Sequence, residues 1–532
     1  MPLAGWARAA RRGRGSIATL SSAGLYGTDP RLLGFHFRNA ALLRRQNPMK
    51  HTLLPLLAAA LLSATAPAAQ NTPVAKPNVV LILADDLGWT DLGAFGSDLH
   101  ETPVLDRLAR EGMKFTQNYS ACTVCSPTRA ALMTGKYPAR LRITDWIPGA
   151  MPDNPKLLVP EWTKFLPTSE TSLATVFRAA GYATGTIGKW HLGGADTYPE
   201  MHGFDVNIAG TDKAQPPTYH APYNIPTLTP EGKDGEYLTD RLGEEAARFI
   251  ERNQARPFFL YLPHFAVHTP IQGRADLVAK YQARIREGMR HRNAAYAAMT
   301  ESLDSAVGRV VDALGRLGLR ERTIIAFTSD NGGRITQGTT TNVPLRYGKA
   351  SAYEGGVRVP LIVNWPGVIP PGGVSAAPVI TMDLFPTLVE LAGLPATASR
   401  GALDGVSLAG HLRGGPAPGR DSLFWHYAHH QHYQLGGAMP YAAIRAGDYK
   451  LIEFYNDLKD IRLELYNLRE DIGETKDLAA VQPQRVAELR ERLHRWQRDV
   501  GAQMPVPNPK HNPAKPEYTP PPAKAKKAAA KG

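Results

Sequence analysis

The chain has 532 residues, 43% of them hydrophobic, with a formal net charge of +13, so it can bury a large core and divide into more than one domain. The charge sits at the ends: residues 1–48 hold eight Arg and one Asp, and residues 510–532 hold six Lys and one Glu. A near-neutral body between basic ends excludes a nucleic-acid face as the organising feature, and two cysteines, Cys122 and Cys125, build no disulfide framework.

Residues 1–48 are rich in Arg and Gly without apolar periodicity and read as an extension ahead of a native start at Met49. Met49-Lys50-His51, the apolar run to Leu62 and the small residues Ala66–Ala68 form a secretory signal peptide over 49–69. The apolar run is too short to span a bilayer comfortably. Export to a periplasm or the cell exterior is expected, the competing reading being a basic arm ahead of an anchor.

The first strong element is the Val/Leu/Ile run Pro77–Ala84, a buried parallel strand ending on Asp85-Asp86. Open α/β sheets place ligands at such ends, and adjacent carboxylates repel unless a cation lies near. A lone pair would equally serve as a turn or a helix cap. In Cys125-Ser126-Pro127-Thr128-Arg129 the proline starts a helix at its first position, with Arg129 readable as a surface cation. Cys122, three residues earlier, reads as a small buried filler.

A helix over 171–181 leads into a strand over 182–187 and a loop carrying Lys189 and His191. One residue apart, these two side chains share a face if the backbone is extended. Residues 196–240, rich in Pro, Tyr, Gly and His and including His202 and Asp205, read as a long loop lining a pocket. A helix near 240–251 precedes the strand 257–263, which runs on to His264 and His268.

An amphipathic helix over 294–317 feeds the strand 323–329, which ends in Asp330-Asn331. With Asp85 and Asp86 this acid and amide complete a hard-oxygen set suited to calcium or magnesium rather than zinc. Lys349 follows, then a helix over 382–394 and a Gly/Pro-rich boundary at 414–419. Alternating segments over 442–452 and 463–468 read as antiparallel strands, and 479–500 as a helix. The expected division is a main domain over 76–415, a C-terminal subdomain over 420–503 and a disordered Pro/Lys/Ala tail over 504–532.

Cys125 to Gly135, with its Cys-Ser-Pro-Thr-Arg start and Leu-Met-Thr-Gly end, resembles the signature of type I, cysteine-type sulfatases of the alkaline phosphatase superfamily. Gly188-Lys189-Trp190-His191-Leu192-Gly193 resembles their second signature. The resemblance spans about residues 76–500. It implies an α/β fold with a large mixed, mostly parallel sheet between helices and a smaller α+β C-terminal domain on an antiparallel sheet. It also implies that Cys125 is matured to formylglycine by a formylglycine-generating enzyme, and that a calcium or magnesium ion is held by Asp85, Asp86, Asp330, Asn331 and residue 125.

In that family the hydrated aldehyde attacks sulfur, the alcohol leaves, and sulfate departs by elimination. Carried onto this chain, Arg129 stabilises the hydrate, and Lys349 and His268 bind sulfate oxygens, one of them protonating the leaving group. His191, assisted by Lys189, removes the proton that releases sulfate; His264 is structural or supports the site from behind. The implied substrate is a sulfated sugar of galactose or N-acetylgalactosamine type, with Trp146, Trp162, His202 and Asp205 around the alcohol portion. Trp146 and Trp162 are equally readable as core, and His426, His429, His430 and His432 as pocket rim, adventitious metal ligands or solvated residues. The alternatives are a formylglycine-dependent phosphonate or phosphate monoester hydrolase and a non-catalytic glycan-binding homologue.

Overall fold

The computed structural model describes residues 76–395, 401–431 and 439–517. The expected extension, the expected signal peptide, His432 and residues 518–532 of the tail lie outside them.

Eight strands form the main sheet: β1 (Asn78–Ala84), β2 (Met113–Phe115), β3 (Ala183–Ile187), β4 (Val206–Ile208), β5 (Phe258–Pro263), β6 (Thr323–Ser329), β7 (Leu361–Asn364) and β8 (Gly373–Ser375). Their order across the sheet is β8-β2-β7-β6-β1-β5-β3-β4. Only β7 runs antiparallel to both its neighbours; the others pair in parallel. Every residue of β1 is buried because both faces are covered. Val80 and Ile82 pack with the helices Leu238–Arg252 and Ala294–Arg316 on one face. Val79, Leu81 and Leu83 pack with the helices Cys125–Thr134 and Leu384–Leu391 on the other.

The mostly parallel sheet between helices is the architecture expected. Inside the stretch expected to be loop, however, Val206–Ile208 adds an edge strand to β3. Its three residues offer too short an alternation to mark a strand.

The second sheet is antiparallel, β9 (Ser422–Tyr427), β10 (Tyr441–Ala446), β11 (Tyr449–Asp457) and β12 (Asp460–Asn467), in that order. The helix Pro483–Val500 covers it, starting at a proline four residues later than expected, since Pro fits the first turn of a helix. A single apolar cluster joins Trp425, Ile444, Leu465 and Trp496 of this part to Tyr119, Ala131, Tyr353 and Val357 of the main part. The small sheet therefore packs directly behind the segment bearing Cys125.

The tail expected to be disordered from 504 is instead seated on the body as far as Glu517. Val506–Pro507 pairs antiparallel with Leu157–Leu158, and the Asn154 amide donates to the carbonyls of Asn512 and Lys515 at 2.9 and 3.0 Å. Its only large aliphatic residues are Met504 and Val506, but its backbone groups find partners, which composition does not register. No helix among the described residues is long and apolar enough to cross a membrane.

Candidate active site

Four neighbouring parallel strands deliver the site at their C-terminal ends, where the backbone leaves the sheet. β1 ends in Asp85 and Asp86, β6 in Asp330 and Asn331, β3 leads to Lys189 and His191, and β5 leads to His264 and His268. Ala84 and Ser329 are register partners, so the two acidic pairs stand side by side. Cys125 is the first residue of a ten-residue helix, with Arg129 one turn later on the same face. The ten residues expected to form the centre are all buried.

The contacts are dense. Lys189 Nζ lies 2.6 Å from Asp85 Oδ2, and Lys349 Nζ lies 2.6 Å from Asp86 Oδ1 and 3.5 Å from Cys125 Sγ. Arg129 donates from Nε at 3.0 Å to Asp330 Oδ2, which its Nη2 approaches at 2.8 Å. Cys125 Sγ is 3.6 Å from Asp85 Oδ1, and His268 Nε2 is 3.6 Å from Asp86 Oδ2. Asp86 is left-handed at φ 61. Its N–H donates to Asp330 Oδ1 at 3.2 Å, and its carbonyl accepts from Tyr296 Oη at 3.2 Å. These bonds hold a backbone state that a non-glycine residue adopts rarely.

Charge follows from this packing. Burial opposes ionisation of Asp86, yet the Lys349 ammonium and His268 outweigh it and hold the carboxyl well below its usual range. Burial pushes the Cys125 thiol up to about 12 despite Lys189 and Lys349, so the encoded thiol is a poor nucleophile. Burial, reinforced by Lys189, keeps His191 neutral, its proton affinity well below the ordinary value. Its Nε2 lies 2.6 Å from the Ile147 carbonyl, so that nitrogen carries the proton, and the buried Nδ1 has no partner. A neutral histidine with a free Nδ1 lone pair is a base in waiting.

Hard oxygen is in surplus. Asp86 Oδ2 and Asn331 Oδ1 are buried with no hydrogen-bond partner, and Asp85, Asp86, Cys125 and His268 place one ligand atom each within 4.8 Å of one another. Carboxylates and an amide oxygen left unpaired inside a protein are costly unless a cation joins them. The residues fit a hard divalent ion. Another buried group, Asp91, His100 and His291, also clusters, but its atoms are engaged internally. His291 Nδ1 meets Asp98 at 2.6 Å, and Asp91 accepts from Tyr296 Oη at 2.6 Å and Gly88 N at 2.7 Å. Asp91 and Tyr296 thereby brace the Asp86 turn, a role no motif announced.

Two expected pocket residues do not reach the site. His202 is buried under the sheet edge, its ring 5.4 Å from that of Trp190. Asp205 accepts from Thr184 N at 3.1 Å and pairs with Arg178 at 3.1 Å. Thr184 belongs to the start of β3, the end of the sheet opposite Lys189. Trp146 and Trp162 stay close: Ile147, next to Trp146, accepts from His191, and Trp162 meets His429 edge-on at 5.4 Å. His426, His429 and His430 are not solvated. They are buried and bonded to the Gln503 carbonyl, Thr144 Oγ1 and the Leu157 carbonyl, because β9 and the residues just after it pack against the tail and the 144–157 stretch. His264 is buried with neither ring nitrogen partnered, and burial lowers it to about 3.

The sulfatase family model matches residues 77–394, and the model for the C-terminal part of N-sulphoglucosamine sulphohydrolase matches 346–500. A curated sulfatase of Formosa agariphila is 36% identical over 482 residues, covering 77% of this chain and 85% of the relative. An N-acetylgalactosamine-6-sulfatase of Canis lupus familiaris is 36% identical over 399 residues, covering 70% and 72%. Among solved structures, Ps i-CgsB in complex with k-i-k-neocarrahexaose superposes with a TM-score of 0.66 at 31% identity, over 82% of this chain and 96% of that one. Sheet, strand-end site and sequence agree: the chain belongs to the sulfatase family and is a sulfuric ester hydrolase.

Proposed function

We propose that this chain is an exported sulfatase that removes sulfate from a sugar of galactose or N-acetylgalactosamine type, using formylglycine made from Cys125 and a divalent cation, calcium by preference. The observation that carries the mechanism is the position of Cys125: first residue of its helix, beside Asp85 and Lys349, and inert as a thiol. A helix start and two flanking cations favour negative charge there. The modified residue supplies one hydroxyl for attack and a second for release.

Asp85, Asp86, Asp330 and Asn331 would hold the cation, which when bound polarises the sulfate and favours the ionised hydroxyl. Lys349 and His268 keep 4% and 8% exposure, the most open members of the centre, and so receive the sulfate oxygens on entry. One of them protonates the leaving oxygen. His191 Nδ1 then takes the proton whose loss expels sulfate, with Lys189 beside it. The sugar class is supported by the named activity of the canine relative and the oligosaccharide held by the superposed structure. Export is supported by the signal-peptide pattern over 49–69, and a formylglycine-generating enzyme is the implied maturation partner.

The test is the mass of the tryptic peptide Phe115–Arg129 from protein made in its own host, paired with sulfate release from a panel of sugar, steroid and aryl sulfates. Formylglycine at 125 with turnover on 4- or 6-sulfated galactosides is the expected result. Cys125→Ala should fold yet lose at least about a thousandfold in kcat. Full turnover in that variant, or an unmodified cysteine in active enzyme, overturns the mechanism. Turnover restricted to steroid sulfates overturns the substrate class.

A further inference from the structure

The segment carrying Lys349 is strained on both sides of it. Tyr347 and Ala350 are left-handed, at φ 55 and 72, states that persist only when surroundings over-determine them. From the main domain, Lys349 N donates to Gly333 O at 3.1 Å, Ala350 N to Thr123 O at 2.9 Å, Asn342 Nδ2 to the Tyr347 carbonyl at 3.0 Å and Tyr119 Oη to Glu354 Oε2 at 2.8 Å. Further ties come from the C-terminal part, and they grip either side of Lys349.

On the N-terminal side, Arg346 Nη1 donates to the Glu474 carbonyl at 2.7 Å and to Tyr466 Oη at 3.1 Å. Its guanidinium lies 4.0 Å from the centre of the Tyr353 ring, and its carbonyl accepts from Gly355 N at 3.0 Å. On the C-terminal side, Glu354 N donates to Glu474 Oε2 at 2.6 Å. Lys450 Nζ bridges the two acids, 3.1 Å from Glu354 Oε1 and 3.0 Å from Glu474 Oε1. All three of these side chains are fully buried. One residue, Glu474, therefore holds Arg346 with its backbone and Glu354 with its carboxylate. The grip extends to the other loop of the site, since Gly332 N donates to Gly356 O at 3.0 Å.

We propose that Glu474, with Lys450, is a positioning residue of the active site: it locks the 346–354 segment so that Lys349 Nζ stands where sulfate is bound. The small C-terminal sheet is on this view part of the catalytic apparatus and sets affinity for the sulfate group. This rests on Lys349 being a sulfate-binding group, so the experiment tests the two separately.

Kinetics on a sulfate ester and inhibition by free inorganic sulfate are measured for the matured wild type and for Lys349→Ala, Glu474→Ala, Glu474→Gln and the double variant Lys349→Ala/Glu474→Ala. Glu474→Ala should raise both KM and the sulfate inhibition constant about tenfold, with a smaller change in kcat. Glu474→Gln, which keeps an acceptor for the Glu354 N–H, should return them to within about threefold. The double variant should be no worse in KM than Lys349→Ala, the non-additivity of a residue acting through another. If Glu474→Ala fails to fold, Arg346→Gln, half-exposed, releases the other side of the segment and should raise KM in the same direction. A lowered unfolding midpoint with unchanged KM and sulfate inhibition, or fully additive effects, overturns the positioning role. An unchanged KM in Lys349→Ala overturns the sulfate-binding role itself.

Discussion

Asp145 shows how burial sets chemistry one residue at a time. It is fully buried and accepts from Tyr427 Oη at 2.5 Å and Trp146 N at 2.9 Å, but its Oδ2 has no hydrogen-bond partner. Burial pushes its carboxyl up to about 7 against the pull of those bonds; unfolded, it would titrate near 3.9. The folded state thus takes up the proton more readily. Its contribution is fully present below about pH 4 and is lost as pH rises through about 7. Asp145→Asn removes that dependence. In urea titrations from pH 4 to 8 the variant should gain stability relative to wild type as pH rises, and a constant difference would refute the shift. The residue scale also separates what was readable. Cys125, Arg129, Lys189 and His191 lie within recognisable strings, and the fold brings all four together. The expectation for His202 and Asp205 rests on a loop's composition, which reports exposure poorly and direction not at all.

At the scale of elements, long apolar runs and their endings were legible. β1, β5 and β6 are continuous buried strands, and the acids and histidines that follow them stand at the sheet's C-terminal edge. Short elements were not: β4 has three residues, and the pairing of Val506–Pro507 with Leu157–Leu158 has two per strand. Such segments are decided by a neighbour's hydrogen bonds rather than by their own periodicity. The tail offers a direct check. Asn154 holds it through its amide donors and through Oδ1, which accepts from Asn512 N at 2.9 Å. Asn154→Ala should release residues 508–517 at about 1 kcal/mol per bond lost. Limited proteolysis after Lys510 should then run at least about fivefold faster, with kcat unchanged; equal cleavage rates would show that the tail is seated without the Asn154 side chain.

For the whole molecule the decisive quantity is charge gathered from distant parts of the chain. Asp85, Asp86 and Asp330 come together with Arg129, Lys189 and Lys349, and two oxygens remain unpartnered. A divalent ion bound there should stabilise the fold by about 2.7 kcal/mol at a hundredfold excess over its Kd. Dialysis against a chelator should lower the unfolding midpoint. Calcium should restore it at lower concentration than magnesium, and Asn331→Ala should blunt the restoration. An unfolding midpoint indifferent to chelator and ions would remove the cation from this site.

The sequence by itself determined the family and the strands whose ends gather the ten buried residues, because those are local patterns: apolar runs, fixed spacings and acids at strand ends. Tertiary structure alone decided the rest. The Asp91–Tyr296 brace behind Asp86, the burial of His426, His429 and His430, and the Glu354–Lys450–Glu474 cluster behind Lys349 join positions far apart in the chain. Each residue there is an ordinary acid, base or phenol whose role appears only when folding removes water and leaves one partner within reach.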